Sequence, residues 1–355
     1  MTGIVPDVRR IAVLRAGGLG DFVFALPALE SLREAYPGAR ITLLTGPAQA
    51  NLVAERPGPW DRLEVVPPFR GVREDEAPHA ESVEAFLARM RAEQFDLAVQ
   101  MHGGGRHSNH LVRMLDARTT VGCRTPDAPR LDRELPHVYL HAEAIRWLEV
   151  VALVGGRFRS PAPRLTVTAA DRRRAAEVLP PTGTPEVTIH PGAGSTRRRW
   201  PVERFAQLGD ELARDGYRVL IVGGAQDIEL TAGVAAAMRG TKVDLGGRLS
   251  LSALVGLFAR IALHVGNDSG PAHIARAVAP STLTLTWGPN LLTAGPIGPA
   301  DRHRALLGWQ IHCPECGAEL VGHECDHGSS LIARIAPDEV VEAALALLAR
   351  MEGSR

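Results

Sequence analysis

H-V-G-N-D-S-G-P-A-H-I-A-R-A, residues His264 to Ala277, decides how the chain folds. An apolar strand over Ile261 to Val265 is expected to break at Gly266. Asn267, Asp268, Ser269 and Gly270 then form a polar turn, and a helix restarts with Pro271 in its first turn. Strand, polar turn and helix N-terminus in succession is the repeating unit of a parallel α/β sheet. The free amides at the helix end, with the helix dipole, favour a phosphate, and Asp268 can accept hydrogen bonds from a ribose or base. Half of a nucleotide-sugar site is one reading. An ordinary strand-to-helix connection capped by Asp268 or Ser269 is the other.

The unit recurs upstream. Glu186 to His190 is an expected strand that opens into P-G-A-G-S-T-R-R-R-W-P, residues Pro191 to Pro201. Small residues with free amides, Gly192, Ser195 and Thr196 among them, stand directly before Arg197, Arg198 and Arg199. This describes an anion cradle, with a basic surface loop as the alternative. Arg218 to Val222 ends in Gly223-Gly224-Ala225-Gln226-Asp227-Ile228-Glu229. Asp227 or Glu229 can meet a ribose or base, or simply favour the start of the next helix. Ser250 is expected to cap a helix over Leu251 to Arg260, Thr282 to Trp287 is a strand ending in Gly288-Pro289-Asn290, and Ala336 to Arg350 is a last amphipathic helix.

The N-terminal half follows the same plan. Arg10 to Arg15 is a strand followed by Ala16-Gly17-Gly18-Leu19-Gly20-Asp21 and a helix from about Phe22 to Ala35. The glycine spacing is not G-x-G-x-x-G, and the second strand, Arg40 to Leu44, ends in Thr45-Gly46-Pro47 without an acidic residue for a ribose, which argues against NAD. Asp21 lies at the mouth of a Gly-rich turn, beyond the C-terminal end of the first strand, where open α/β sheets place reacting groups. It can equally cap the following helix. Phe95 to Gln100 is a strand that leads into M-H-G-G-G-R-H-S-N-H, Met101 to His110. His102, Arg106 and Asn109 there form a polar wall for a sugar or acceptor, or a flexible loop with solvated histidines. Further strands at Leu63 to Val66 and Thr119 to Gly122, and helices near Ser82 to Glu93 and His141 to Val154, complete this half. Gly155-Gly156 and Ser160-Pro161-Ala162-Pro163 read as a linker, giving domains 1–165 and 166–355.

Composition narrows the function. The 355 residues suit two domains, 45% are hydrophobic, and Lys+Arg equals Asp+Glu at 40 each, so no global field favours nucleic acid or an anionic membrane. No apolar run reaches the ~18 residues of a spanning helix, and Asp7, Arg9 and Arg10 do not form a signal peptide, so a cytoplasmic protein is expected. Lys242 is the only lysine, which weakens readings that need a placed lysine, such as a P-loop, for which there is also no G-x-x-x-x-G-K-[ST], or a pyridoxal phosphate enzyme. Phosphate recognition must rely on arginine, amides or hydroxyls. The stretch C-P-E-C-G-A-E-L-V-G-H-E-C-D-H offers Cys313, Cys316, Cys325 and His327 as ligands of a structural zinc, against reduced thiols in a loop.

Four motifs carry a resemblance. L-R-A-G-G-L-G-D-F-V-F-A-L-P-A-L (Leu14 to Leu29), H-P-G-A (His190 to Ala193) before R-R-W-P (Arg198 to Pro201), D-L-G-G-R-L-S-L (Asp244 to Leu251) and G-N-D-S-G-P-A-H (Gly266 to His273) resemble the family 9 glycosyltransferases, the heptosyltransferases of bacterial lipopolysaccharide core assembly. The resemblance covers nearly the whole chain. It implies the GT-B fold, an α/β arrangement of two Rossmann-like domains with parallel sheets facing across a cleft, the acceptor mainly on the first and the nucleotide sugar on the second. Asp21 matches the family's catalytic base. Arg198 stands where members usually have a lysine on the donor diphosphate, Asp227 lies near an acidic donor-contacting position, and Asp268, Ser269, Gly270 and His273 match the donor-binding loop. Gly18, Gly20, His102, Arg106 and Asn109 are the expected acceptor side, with Arg70 and Arg73 as further basic candidates beside Glu74, Asp75 and Glu76.

The implied reaction is inverting transfer of a heptose or related sugar from an ADP-sugar to a glycolipid or glycan acceptor. No D-x-D occurs, which fits metal-independent catalysis, so no cofactor beyond the zinc is expected. The implied setting is cytoplasmic, with peripheral contact at the inner membrane, as a monomer. A nucleotide-sugar epimerase or hydrolase, or a non-catalytic nucleotide-sugar-binding protein, would use the same cradle; a zinc-based scaffold would not need the glycine-rich rims.

Overall fold

The computed structural model describes residues 3–74, 81–298, 301–321, 323 and 325–352. Two compact units, Met1–Thr166 and Val167–Arg355, make up the chain.

The first unit contains β1 (Arg10–Arg15), α1 (Leu19–Ala35), β2 (Arg40–Thr45), α2 (Pro47–Val53), β3 (Arg62–Val65), α3 (Val83–Ala92), β4 (Leu97–Gln100), α4 (Ser108–Arg113), β5 (Thr119–Arg124), β6 (Arg133–Pro136) and α5 (Glu143–Ala152). The strands form one sheet in the order β3-β2-β1-β4-β5-β6, and every pairing is parallel. Ile11 to Leu14 are buried without alternation, as expected of a central strand covered on both faces. The reversal of strand order lies beside β1, so the loops after β1 and β4 flank the switch point where open α/β sheets bind ligands.

The helix after β1 starts earlier than the expected Phe22. Leu19, Gly20 and Asp21 are wound into its first turn because the Asp21 carboxylate accepts the Gly18 amide at 3.0 Å, satisfying a donor that the helix itself leaves free. The helix also carries Pro27 in its interior.

The second unit contains α6 (Ala169–Val178), β7 (Glu186–His190), α7 (Val202–Arg214), β8 (Arg218–Gly223), α8 (Ile228–Ala237), β9 (Lys242–Gly246), α9 (Leu251–Phe258), β10 (Leu263–Asn267), α10 (Gly270–Val278), β11 (Thr282–Trp287), α11 (Gly288–Ala294), β12 (His303–Gly308) and α12 (Pro337–Glu352). Its sheet runs β12-β11-β10-β7-β8-β9, again parallel throughout. Ser250 caps α9 by accepting the Ala253 amide at 3.2 Å. Trp200 and Phe205 meet edge to face at 5.0 Å in the core below the rim.

Gly266 does not end its strand. It pairs in register with His190 on one side and Thr284 on the other, and a Cβ there would come within 2.9 Å of His264 Nε2. The glycine serves close side-chain packing inside the strand, and β10 continues to Asn267. Asn267 is buried: its Oδ1 accepts the Trp200 amide at 3.1 Å, and its Nδ2 donates to the Pro191 carbonyl at 2.7 Å. This one side chain fixes the ends of the 191–200 loop against β10. Among the described residues no helix is long and apolar enough to cross a membrane.

Candidate functional site

On the rim of the first unit, Asp21 is the exposed carboxylate, with 52% of its side chain accessible. Beneath it lies Arg15, 3% accessible, at the end of β1. Its Nε and Nη2 donate to the Asp21 carbonyl at 2.9 and 2.6 Å, its Nη1 to the Met101 carbonyl at 2.6 Å, and its guanidinium lies 5.0 Å over the Trp147 ring. Asp21 Oδ1 at 3.7 Å and Glu143 Oε2 at 3.6 Å supply opposite charge, and Arg146 pairs with Glu143 from the other side. One buried arginine therefore holds both the first turn of α1 and the loop after β4.

His102 follows Met101 in that loop and faces the same turn: a Cβ on Gly17 would sit 3.6 Å from its Cε1. Burial, then the charge of Arg15, push its pKa down to about 4, so the ring is neutral at physiological pH. Gly18 and Gly20 belong to the turn around Asp21, Gly18 through its amide and Gly20 as a buried residue of α1.

Two expected acceptor-side residues, Asn109 and Arg73, are corrected. Asn109 is 0% accessible, with Nδ2 given to the Cys123 and Pro129 carbonyls at 3.2 and 2.9 Å, so it ties the sheet edge and lines no surface. The reason is local: α4 begins at Ser108 inside the expected loop and turns Asn109 inward. Arg73 is buried and donates to the Val66 carbonyl at 2.8 Å, which removes it from a basic surface patch. Arg106 is exposed but lies 3.3 Å from Asp127. Arg70 is exposed, and Asp75 and Glu76 lie outside the described residues.

On the second unit, the ends of β7, β8 and β10 converge. Asp227 Oδ2 accepts the Gly224 amide at 3.0 Å and meets His190 Nε2 at 3.4 Å, while His190 Nδ1 lies 3.3 Å from Ser269 Oγ. The bond to His190 is the main reason that the Asp227 carboxyl is held below its ordinary pKa. Gly192 is required here, since a Cβ on it would overlap Asp227 Oδ1. The Ser269 hydroxyl gives its single hydrogen to the Asn267 carbonyl at 3.0 Å, so the Asp227–His190–Ser269 row orients the rim and supplies no activated nucleophile.

The expectation that Asp268 presents its carboxylate to a ribose or base is corrected too. The side chain is buried, Oδ1 meeting His273 Nε2 at 3.3 Å and Oδ2 accepting Asn290 Nδ2 at 2.9 Å. His273 is buried with it, and desolvation drives its pKa well below the usual histidine value. Asp268 and His273 brace the loop from below. Gly270 opens α10, with Ser269 at the N-cap but making no side-chain cap bond, so the helix N-terminus keeps free amides.

The three arginines of the 191–200 loop separate into three roles. Arg199 donates to the Ala193 carbonyl at 3.1 and 2.9 Å and stabilises its own loop. Arg197 turns away toward Cys325 and His327, donating Nε to the His327 carbonyl at 2.7 Å. Arg198 alone stays at the rim, its Nη1 at 3.4 Å from the Asp268 carbonyl, with Ser195 and Thr196 in the same turn. One guanidinium, the α10 amides and the loop amides thus form a compact anion-binding arrangement.

Cys313, Cys316, Cys325 and His327 bring their ligand atoms within 4.8 Å of one another. Three thiols and an imidazole are a donor set for zinc or another thiolate-binding cation, and tetrahedral zinc with bonds of about 2.3 Å asks for sulfur separations near ~3.8 Å. His327 turns Nε2 toward Glu315 at 3.8 Å and leaves a buried Nδ1 without a hydrogen bond, the orientation of a metal-ligating histidine held by a carboxylate. The His327 amide, and then the imidazole beside it, hold the Cys325 thiol down at about 6. These residues fit a bound metal.

Buried neutral histidines also set the acid limit of the fold. Besides His102, His264 is pushed down to about 3 and His303 to about 4, in both cases first by burial. Their folded pKa values lie below the unfolded value of 6.5, so the unfolded chain binds more protons and stability falls as pH drops from about 6.5 toward 4. Urea unfolding at pH 7.5 and 4.5 should show a loss on the order of 2 kcal/mol for each fully buried ring.

Two parallel doubly wound sheets, each with its loops at the strand C-termini, are the arrangement of the GT-B fold. The glycosyltransferase family 9 (heptosyltransferase) model matches residues 83–313, and the chain belongs to that family. Lipopolysaccharide heptosyltransferase 3 of Escherichia coli is 25% identical over 293 residues, 75% of this chain and 80% of the relative. Among solved structures, a family 9 glycosyl transferase from Veillonella parvula DSM 2008 superposes with a TM-score of 0.80 at 22% identity, covering 98% of this chain and 99% of its own. The E. coli ADP-heptose lps heptosyltransferase II superposes with a TM-score of 0.73 at 19% identity, covering 97% and 99%.

Proposed function

We propose that this glycosyltransferase moves a heptose or closely related sugar from an ADP-sugar to a hydroxyl of the lipopolysaccharide core or another bacterial surface glycan, with inversion and without a catalytic metal. The observation that carries the reading is the division of labour on the two rims: an exposed carboxylate, Asp21, held by a buried arginine on one unit, and the Arg198 guanidinium, bonded to the Asp268 carbonyl at the rim, beside free helix amides on the other. The ADP-heptose and lipopolysaccharide in the names of the relatives support the donor and acceptor classes.

In this reading Asp21 takes the proton from the acceptor hydroxyl as its oxygen attacks the anomeric carbon. The bond to the nucleoside diphosphate breaks, and the sugar carbon inverts. Charge accumulates on the leaving phosphate, where Arg198 and the amides at Gly270, Gly192 and Ser195 offset it. Asp227 serves the nucleoside end, and His102 with Gly18 and Gly20 shape the acceptor side. Asp268 and His273 act through the loop that they brace. The Cys/His cluster holds a structural zinc. The protein works as a monomer at the cytoplasmic face of the inner membrane, where a nucleotide sugar meets a lipid-linked acceptor.

Calorimetry with ADP, UDP and GDP in magnesium-free buffer tests the donor. ADP should bind selectively, and Arg198→Ala should weaken it by about 10- to 100-fold, the value of one charge-assisted contact. Equal binding of the three nucleotides, or none, would remove the ADP-sugar assignment.

A further inference from the structure

Arg197 lies in the middle of the candidate phosphate cradle yet faces none of it. It reaches the other way, across 128 residues of sequence, to the Cys325 carbonyl and to Cys325 Sγ at 3.1 Å, and to the His327 carbonyl at 2.7 Å. Two of the four metal-competent residues are therefore held by a cradle side chain. The contact is returned at three further points. The Leu331 amide donates to the Arg197 carbonyl at 2.8 Å, Ser330 Oγ donates to the Arg199 carbonyl at 2.6 Å, and a Cβ on Gly328 would lie 3.2 Å from Thr196 Oγ1. Both backbone carbonyls flanking Arg198 are thus bound by the segment that immediately follows the cluster.

We propose that a thiolate-binding cation at Cys313, Cys316, Cys325 and His327 shapes the phosphate cradle, with Arg197 as the positioning residue that transmits metal loading to Arg198. The physical argument is one of order. Asn267 holds the beginning and end of the 191–200 loop and Arg199 bonds the Ala193 carbonyl within it, whereas the turn Thr196–Arg198 at its centre meets the 325–331 segment through Arg197 and through the carbonyls of Arg197 and Arg199. That segment has no helix or strand of its own, with Ser329 bonded to Glu315 and Leu331 buried in the core, so a tie between Cys325, His327, Cys313 and Cys316 adds directly to what positions residues 325–330. A cation there closes a loop of the chain and adds a constraint at Cys325 and His327, the residues that Arg197 contacts. The N–H to Cys325 Sγ contact is an outer-shell bond to a ligand sulfur, which fixes both partners when the sulfur is metal-bound. Releasing the cation loosens the centre of the turn and leaves Arg198 free to sample positions away from the Asp268 carbonyl. Donor binding then has to order the turn at its own expense. The inference deepens the donor reading given above and rests on it.

The test uses the full chain, loaded with zinc and then stripped with a thiol-compatible chelator, with metal content followed by mass spectrometry and folding by circular dichroism. Two readouts are taken: ADP affinity, and amide hydrogen exchange over residues 194–200. Stripping should weaken ADP at least ten-fold and speed exchange in that segment, and zinc, not magnesium, should restore both. Arg197→Met should keep the metal yet weaken ADP to a similar extent. In that variant stripping should add little, because the coupling has already been cut. Arg197→Lys, which keeps charge but not the fork, should fall between. The proposal is overturned if metal-loaded Arg197→Met binds ADP like the parent, or if stripped, folded protein shows unchanged exchange over 194–200. If the parent binds no nucleotide while exchange still responds to zinc, the donor reading fails and the link between metal and loop stands.

Discussion

Asp21→Asn is expected to lower turnover by about 10²- to 10⁴-fold, the usual contribution of a positioned general base, with ADP affinity unchanged. The substitution is chosen for what it preserves. An amide oxygen can still accept the Gly18 amide that the carboxylate now accepts at 3.0 Å, so the first turn of α1 keeps its cap. The side chain is half exposed, and little packing is lost. What disappears is the ability to take a proton, together with the negative charge 3.7 Å from Arg15, which Glu143 at 3.6 Å still faces. Release of ADP from a nucleotide sugar in the presence of acceptor, measured under single-turnover conditions, reads the chemical step directly. Near-normal release would remove Asp21 from the chemistry, and a variant that loses ADP affinity as well would point to an altered fold.

Arg15→Met should be the most damaging single change on the first unit. The guanidinium makes three short bonds to carbonyls of two loops and sits between two carboxylates over an indole, almost wholly out of water. Methionine fills part of the volume but takes the guanidinium donors away from the Asp21 and Met101 carbonyls and leaves Glu143 with Arg146 alone. Removing one member of such a buried network costs about 3–5 kcal/mol, and for a unit of this size that lowers the midpoint of thermal unfolding by roughly 10 °C. Turnover should fall at least ten-fold even well below that midpoint, because the turn bearing Asp21 is no longer clamped. Arg15→Lys retains the charge and loses the fork, so stability should recover more than turnover does. A thermal scan paired with the activity assay separates the two effects. Unchanged stability in Arg15→Met would contradict the account of the clamp.

Much of this architecture was legible in the sequence because parallel sheets announce themselves. Glu186 to His190 is a strand in both readings, since it is a buried run between a proline-rich stretch and a glycine-rich loop. The omissions have a common cause. Gly46-Pro47 and Gly288-Pro289 read only as strand ends, yet each proline sits at the start of a seven-residue helix, where a missing amide costs nothing. Strands β6 and β12 lie at sheet edges, and their mixed polarity gives no clean period.

The site was legible as a list of positions and not as a set of directions. Three adjacent arginines look equivalent in sequence, yet their partners are Cys325 and His327, the Asp268 carbonyl, and Ala193. Only the fold assigns them. Asp268 and His273 read as ligand contacts because they follow a strand, whereas burial turns them toward each other. Arg15 carried no signal beyond its place in a motif; its importance comes from Met101 and Glu143, far along the chain.

The central position of β1 has a consequence for how the chain is made. The Arg10 amide bonds the side chain of Asp96, 86 residues on, and β1 pairs with β2 on one flank but with β4 on the other. At about 5–20 residues per second, β4 leaves the ribosome roughly 4 to 17 s after β1. For that interval a strand whose Ile11, Val13 and Leu14 end up fully covered has one edge open to whatever else is in reach. Among the described strands that end with a neighbour on each side, the one at the heart of this sheet is therefore the one that the nascent chain must shield longest, and translation speed between β1 and β4 becomes a determinant of yield.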